Sequence, residues 1–166
     1  ASDEAILGGF QWLLAPTDLR GKNPDPSKGP DVVCSSWGEQ DGAHTSYLDS
    51  VAMLRAAGII TVFSAGNQGP NERTINAPAS YTVTLAIGAT DSNDDAARFS
   101  SRGPSSWSQT KPDVVAPGVA IPSTIPGGTY AEISGTSVAA PHAAGAIALM
   151  LQADRQVLGM PTLTIT

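Results

Sequence analysis

The chain has 166 residues, 41% apolar and 14% charged, the composition of a packed domain rather than a disordered segment. Its formal net charge of −6 leaves no basic stripe to meet phosphates, which argues against a nucleic-acid partner. No apolar run approaches the ~20 residues of a membrane-crossing helix, and the opening Ala1-Ser2-Asp3-Glu4 lacks the basic start of a signal peptide.

In chain order, Ile6, Leu7, Phe10, Leu13 and Leu14 have helical spacing, which predicts a helix over 3–14 that ends before Pro16. Trp12 falls on its core face. Residues 16–30 hold four prolines and read as an exposed loop. Residues 31–36 are a short apolar run, a buried strand in which Cys34 is a small hydrophobe. Ser46 with Asp49 resembles a capping box opening a helix to about Ala57, and Gly58 is placed to stop it. The β-branched run Ile59 to Phe63 reads as a strand, Thr82 to Ile87 as another, and Val114-Val115 as a shorter one. Gly127 to Ile133 supplies a hairpin arm. Residues 137–153, small and apolar on all sides, predict a buried helix. This order gives an α/β domain with a mostly parallel sheet. A single cysteine excludes an internal disulfide.

The most informative run is Ser134-Gly135-Thr136-Ser137-Val138-Ala139-Ala140-Pro141-His142. It sets a serine between a glycine turn and a helix start, at the positive end of the helix dipole. A second run, Ile59 to Gly69, is an apolar strand entering a Gly-rich turn with Asn67 at its tip. Open α/β sheets place ligand chemistry at such strand ends. An Asn amide there can donate to a developing oxyanion; alternatively, Asn67 simply tolerates a left-handed turn.

These two runs are joined by Ser36-Trp37-Gly38, Val83 to Ala89, Phe99 to Pro104 and Lys111 to Gly118. Six ordered matches, from about Ile6 to Leu151, resemble the subtilisin-like serine peptidases. Residues 6–38 are most similar to the bacillopeptidase F branch. The resemblance implies a three-layer α/β fold with a mostly parallel sheet, incomplete for want of its N-terminal strands. Residues 1–166 would form the C-terminal portion of the catalytic domain. It implies Ser137 as nucleophile and Asn67 as oxyanion donor, joined by the Ser137 N–H and supported by Thr136. Ser36, Trp37 and Gly38 would pair with the substrate main chain. Ser64, Ala65 and Gly66 would wall the pocket for the side chain before the scissile bond. Their small size leaves room for a large apolar or aromatic group. The resemblance further implies a polypeptide substrate, an exported protein and no cofactor for the chemistry, with structural calcium possible at no assigned position.

The departures carry equal weight. The family's aspartate and histidine motifs precede the serine in chain order, and neither appears here. His142 lies five residues past Ser137, about 140° around the helix and ~7.5 Å along it; it reads as a buried packing residue. His44 reads as a solvated loop residue and Asp113 as structural. The run Asp91 to Asp95 could hold calcium or form a solvated turn. Two classes of function follow. One is an incomplete serine endopeptidase, inactive alone and needing its N-terminal part. The other is a non-catalytic peptide-binding module that self-associates, as a dimer or domain swap, through the apolar edge near 31–36. A sedolisin relative is a third option, which Asn67 opposes because those proteins carry an aspartate there.

Overall fold

The computed structural model describes residues 2–158; the ends of the expected 1–166 domain lie outside them. The elements are α1 (Asp3–Leu14), β1 (Val32–Ser35), α2 (Leu48–Ala56), β2 (Ile60–Ser64), β3 (Leu85–Thr90), β4 (Val114–Pro117), β5 (Ile121–Ile125), β6 (Thr129–Ile133) and α3 (Thr136–Ala153). Strands β1-β2-β3-β4 form a parallel sheet in that order, and β5 and β6 form a separate hairpin. The expected mixed α/β, mostly parallel architecture is what forms.

The pleat sorts side chains to the two faces of the sheet. Phe63 and Ala86 pack with Phe10, Tyr47, Val51 and Leu54 of the α1–α2 layer. Val62, Ile87 and Ala89 pack with Ala139 and Ala140 of α3. The sheet is therefore the middle of three layers. It directs the carboxyl ends of β1 and β2, and the start of α3, to one end of the molecule.

Several local expectations are corrected. Helix α2 begins at Leu48 behind Tyr47, with no side-chain cap, so the Ser46–Asp49 capping box does not form. Its stop is as expected. Gly58 has φ +84°, its N–H donates to Arg55 O, and the Ile59 N–H donates to Leu54 O, the two bonds of a Schellman motif. Strand β3 starts three residues later than predicted because Thr84 belongs to the preceding turn. Its hydroxyl sits against the carbonyls of Pro78 (2.9 Å) and Tyr81 (3.0 Å). The hairpin arm is present as β6; its partner β5 was hidden by Pro122.

Helix α3 is not buried all round. It covers the sheet with one face, while Leu149 and Met150 on the other are 68% and 67% exposed. Small residues mark close approach of a helix to a sheet, not burial on every side. Cys34 is exposed, because it alternates outward between Val33 and Ser35 on β1, an edge strand of the sheet. Trp12 is half exposed and donates to the Thr17 hydroxyl.

Buried Lys111 holds β3 and β4 in register. Its side chain is 1% exposed, and its ammonium donates to Thr84 O (2.8 Å) and Asp113 Oδ2 (2.6 Å). Asp113 also accepts from the Ala86 N–H (2.7 Å), so it is structural, as expected. The run Asp91 to Asp95 folds as a turn on one carboxylate oxygen: Asp91 Oδ1 accepts from the N–H groups of Asn93 and Asp95.

Candidate functional site

The loop after β2 and the first turn of α3 meet at the carboxyl end of the sheet. Asn67 Oδ1 accepts from both the Thr136 N–H and the Thr136 hydroxyl, each at 2.9 Å. Thr136 is 0% exposed, and its hydroxyl oxygen accepts from the Gly66 N–H (3.2 Å). With its oxygen occupied by two donors, the Asn67 carboxamide has one orientation. The Nδ2 group, a pure donor, is directed away from Thr136. It lies 3.5 Å from where a Cβ on Gly135 would stand, a point 3.7 Å from the Ser137 nitrogen. Two nitrogen donors thus lie near one point beside the helix start. The Ser137 N–H, at the second helical position, has no carbonyl four residues back within the helix.

Ser137 is half-buried, and its neighbour across the site is Ser36, from the end of β1. The Ser137 hydroxyl donates to Ser36 O (3.2 Å), and the Ser36 hydroxyl donates to Ser137 O (2.7 Å). The second bond has a cause in sequence. In a helix, Ser137 O would accept from the N–H of residue 141, which is Pro141 and has none. The carbonyl is left free, and Ser36 fills the vacancy. Sequence reading missed this brace, although the proline four residues after the serine is its signal.

The remaining predicted residues separate into two groups. Ser36, Gly38 and Gly66 reach the site. Trp37 does so only through its main chain, because its ring joins the aromatic core. Its centroid is 5.4 Å from that of Tyr47, 5.7 Å from Phe63 and 6.1 Å from Phe10. Ser64 and Ala65 are buried, so their side chains do not face an open site. Residues 76 and 77 tie the segment after β1 to the loop after β2. The Asn76 N–H donates to Ala65 O, and Ala77 and Glu39 exchange both main-chain bonds.

Neither histidine is bonded to the Ser137 hydroxyl. His142 is exposed rather than buried, and its Nδ1 sits 2.8 Å from Val138 O of its own helix. His44 is not solvated as expected. Its ring lies against Tyr47 at 5.3 Å, with Nε2 buried and unpartnered. Among the described residues no group of three or more His, Cys, Asp or Glu could hold a metal ion. A groove of about 770 Å³, lined by Ile59, Leu85, Ile147 and Met150 among others, lies at the opposite end of the sheet and touches none of these residues.

The chain is similar to known proteins in both sequence and fold. The model of the Subtilase family (Peptidase S8) matches residues 2–164. Bacillopeptidase F of Bacillus subtilis (strain 168) is 45% identical over 160 residues, covering 92% of this chain and 11% of that protein. Subtilisin amylosacchariticus of Bacillus subtilis subsp. amylosacchariticus is 38% identical over 148 residues, covering 88% of this chain and 34% of its own. Subtilisin DY of Bacillus licheniformis is 39% identical, covering 89% and 47%. This chain therefore spans less than half of each of these three relatives. The solved structure of the prenylagaramide maturation protease PagA superposes with a TM-score of 0.79 at 24% identity, over 97% of this chain and 54% of that one, a likeness of fold. On the family match and these identities, the chain belongs to the Subtilase family.

Proposed function

We propose that this chain is the C-terminal portion of a serine endopeptidase catalytic domain. Ser137 is the nucleophile and forms an acyl-enzyme with a polypeptide substrate. Asn67 Nδ2 and the Ser137 N–H receive the oxyanion, and Thr136 holds Asn67 in its donating orientation. Ser36, Trp37 and Gly38 offer main-chain groups to the substrate, and Ser64, Ala65 and Gly66 form the opposite wall. The observation that carries this reading is the pair of hydrogen bonds that Thr136 donates to Asn67 Oδ1, which needs no Asn unless the freed amide donates elsewhere.

A serine hydroxyl needs a base, and here it donates to a carbonyl instead. We therefore propose that the aspartate and histidine come from an N-terminal part of the domain, and that residues 1–166 alone are inactive. The open edge of β1 and the exposed apolar face of α3 support such a missing neighbour. By analogy with the relatives, the whole protein is exported and needs no cofactor for its chemistry. The test is labelling by an active-site serine reagent. Residues 1–166 alone should label slowly at Ser137, and a longer chain supplying the base should label fast. Rapid labelling of the short chain would overturn the proposed lack of a base.

A second reading is favoured by one observation: β1, paired with β2 on one side, is an edge strand of the sheet among the described residues and carries exposed Cys34. On it the chain is a peptide-binding module that dimerises or swaps through residues 31–36. Sedimentation as a monomer at high concentration would remove it. Asn67, where sedolisins have an aspartate, argues against the sedolisin alternative.

A further inference from the structure

Thr136 holds the amide of Asn67, but the main chain that carries Asn67 follows a glycine. Gly66 lies at φ +108°, a conformation that residues with a side chain rarely adopt. A glycine joint lets the next peptide plane turn unless bonds stop it. Here both polar groups of that plane are bonded. The Gly66 carbonyl accepts from the Ser101 N–H (3.0 Å), and the Asn67 N–H donates to Gln68 Oε1 (3.0 Å). The Gln68 carboxamide is fastened in turn. Ser101 is 0% exposed; its hydroxyl donates to Gln68 Oε1 (3.3 Å) and accepts from the Gln68 N–H (3.1 Å). Two donors at Oε1 require an oxygen there, which sets the orientation of the amide. A Cβ on Gly66 would stand 2.7 Å from Gln68 Oε1, so the glutamine folds back only over a glycine.

We infer that Gln68, fastened by Ser101, is a positioning residue for the oxyanion donor Asn67. This rests on the peptidase reading of Asn67 and Ser137. Gln68 acts through its neighbour: it stops the plane between Gly66 and Asn67 from turning, and so fixes the point from which the Asn67 side chain starts. Thr136 fixes the other end of that side chain, the amide oxygen. With both ends held, Nδ2 has one place to be. A donor aimed at a developing charge works only within a narrow range of distance, and a shift of ~1 Å is costly to the rate. The glutamine itself is exposed and outside both core clusters, so its bond to Asn67 adds little to packing. Its loss should therefore register in the reaction more than in the fold.

The test has two arms. In residues 1–166, hydrogen exchange of the Asn67 main-chain amide, followed by NMR, reads the bond without turnover. Gln68→Met, similar in length but with no acceptor oxygen, should speed that exchange about tenfold, while Gln68→Glu, which keeps an oxygen, should not. In the longer chain that supplies the base, peptide hydrolysis reads the positioning. Gln68→Met should lower kcat about tenfold and leave KM unchanged, the mark of an interaction made only in the transition state. In an Asn67→Ala background the same substitution should change kcat by less than about twofold, because the residue it positions is gone. Equal losses in the two backgrounds, or unchanged exchange in Gln68→Met, overturn this inference and leave the peptidase reading standing. No hydrolysis by the unaltered longer chain overturns the peptidase reading, and this inference with it. Ser101→Ala should reproduce the loss in kcat through the same neighbour, and it decides the matter if Gln68→Met does not fold.

Discussion

Thr136→Val isolates the hydroxyl that orders the site. Valine matches threonine in shape and keeps the main-chain N–H on Asn67 Oδ1. It removes the hydroxyl bond to Asn67 and the acceptor of the Gly66 N–H, which is buried. A lost hydrogen bond costs about 1 kcal/mol, and an orphaned buried donor a further ~1–3 kcal/mol. The total is about 2–4 kcal/mol, or a fall in Tm of roughly 5–15 °C for a chain of this size. Thr136→Ser keeps both bonds and loses one buried methyl, about 1 kcal/mol. Urea denaturation of the two variants against the parent gives the comparison directly. Equal destabilisation by Val and Ser would refute the reasoning, because the hydroxyl would then contribute nothing beyond its packing.

Three further outcomes follow from the same geometry. Ser36→Ala should destabilise by about 1 kcal/mol, and by much less in a Pro141→Ala background, where residue 141 can donate to Ser137 O; a double-mutant cycle reads the coupling. Lys111→Met should destabilise by about 3 kcal/mol, because Thr84 O and Asp113 lose a buried cation; chemical denaturation measures it, and a neutral result would refute the pinning of β3 to β4. The Tyr47 hydroxyl donates to Asp3 Oδ1 (2.6 Å), and that carboxylate, with burial, pushes its pKa up to about 12. The unfolded tyrosine titrates near ~10, so this contribution is whole below about pH 10 and is lost as pH rises through about 12. Stability measured from pH 9 to 12 should fall along that path, and Asp3→Ala should flatten the fall.

Some of this molecule was legible along the chain. Helix α1, the parallel strands and the stop at Gly58 follow from periodicity, β-branched runs and one left-handed glycine, all local properties. The strings around Ser137 and Asn67 marked the site because turn chemistry and helix starts are also local. What local pattern could not settle was which way a side chain faces once layers meet. Trp37 stands in the site motif, yet its ring belongs to the core. His142 sits in an apolar helix yet is exposed, because only one face of α3 meets the sheet. Cys34 lies in an apolar run yet points outward, because β1 ends the sheet. The brace between Ser36 and Ser137, and the hold of Ser101 on Gln68, join residues far apart in the chain. The sequence by itself determined the elements and the chemistry available at their ends. Only the tertiary structure decided what fills the carbonyl that Pro141 leaves free and which hydroxyl holds Gln68, because those depend on distances between chain segments that no local spacing encodes.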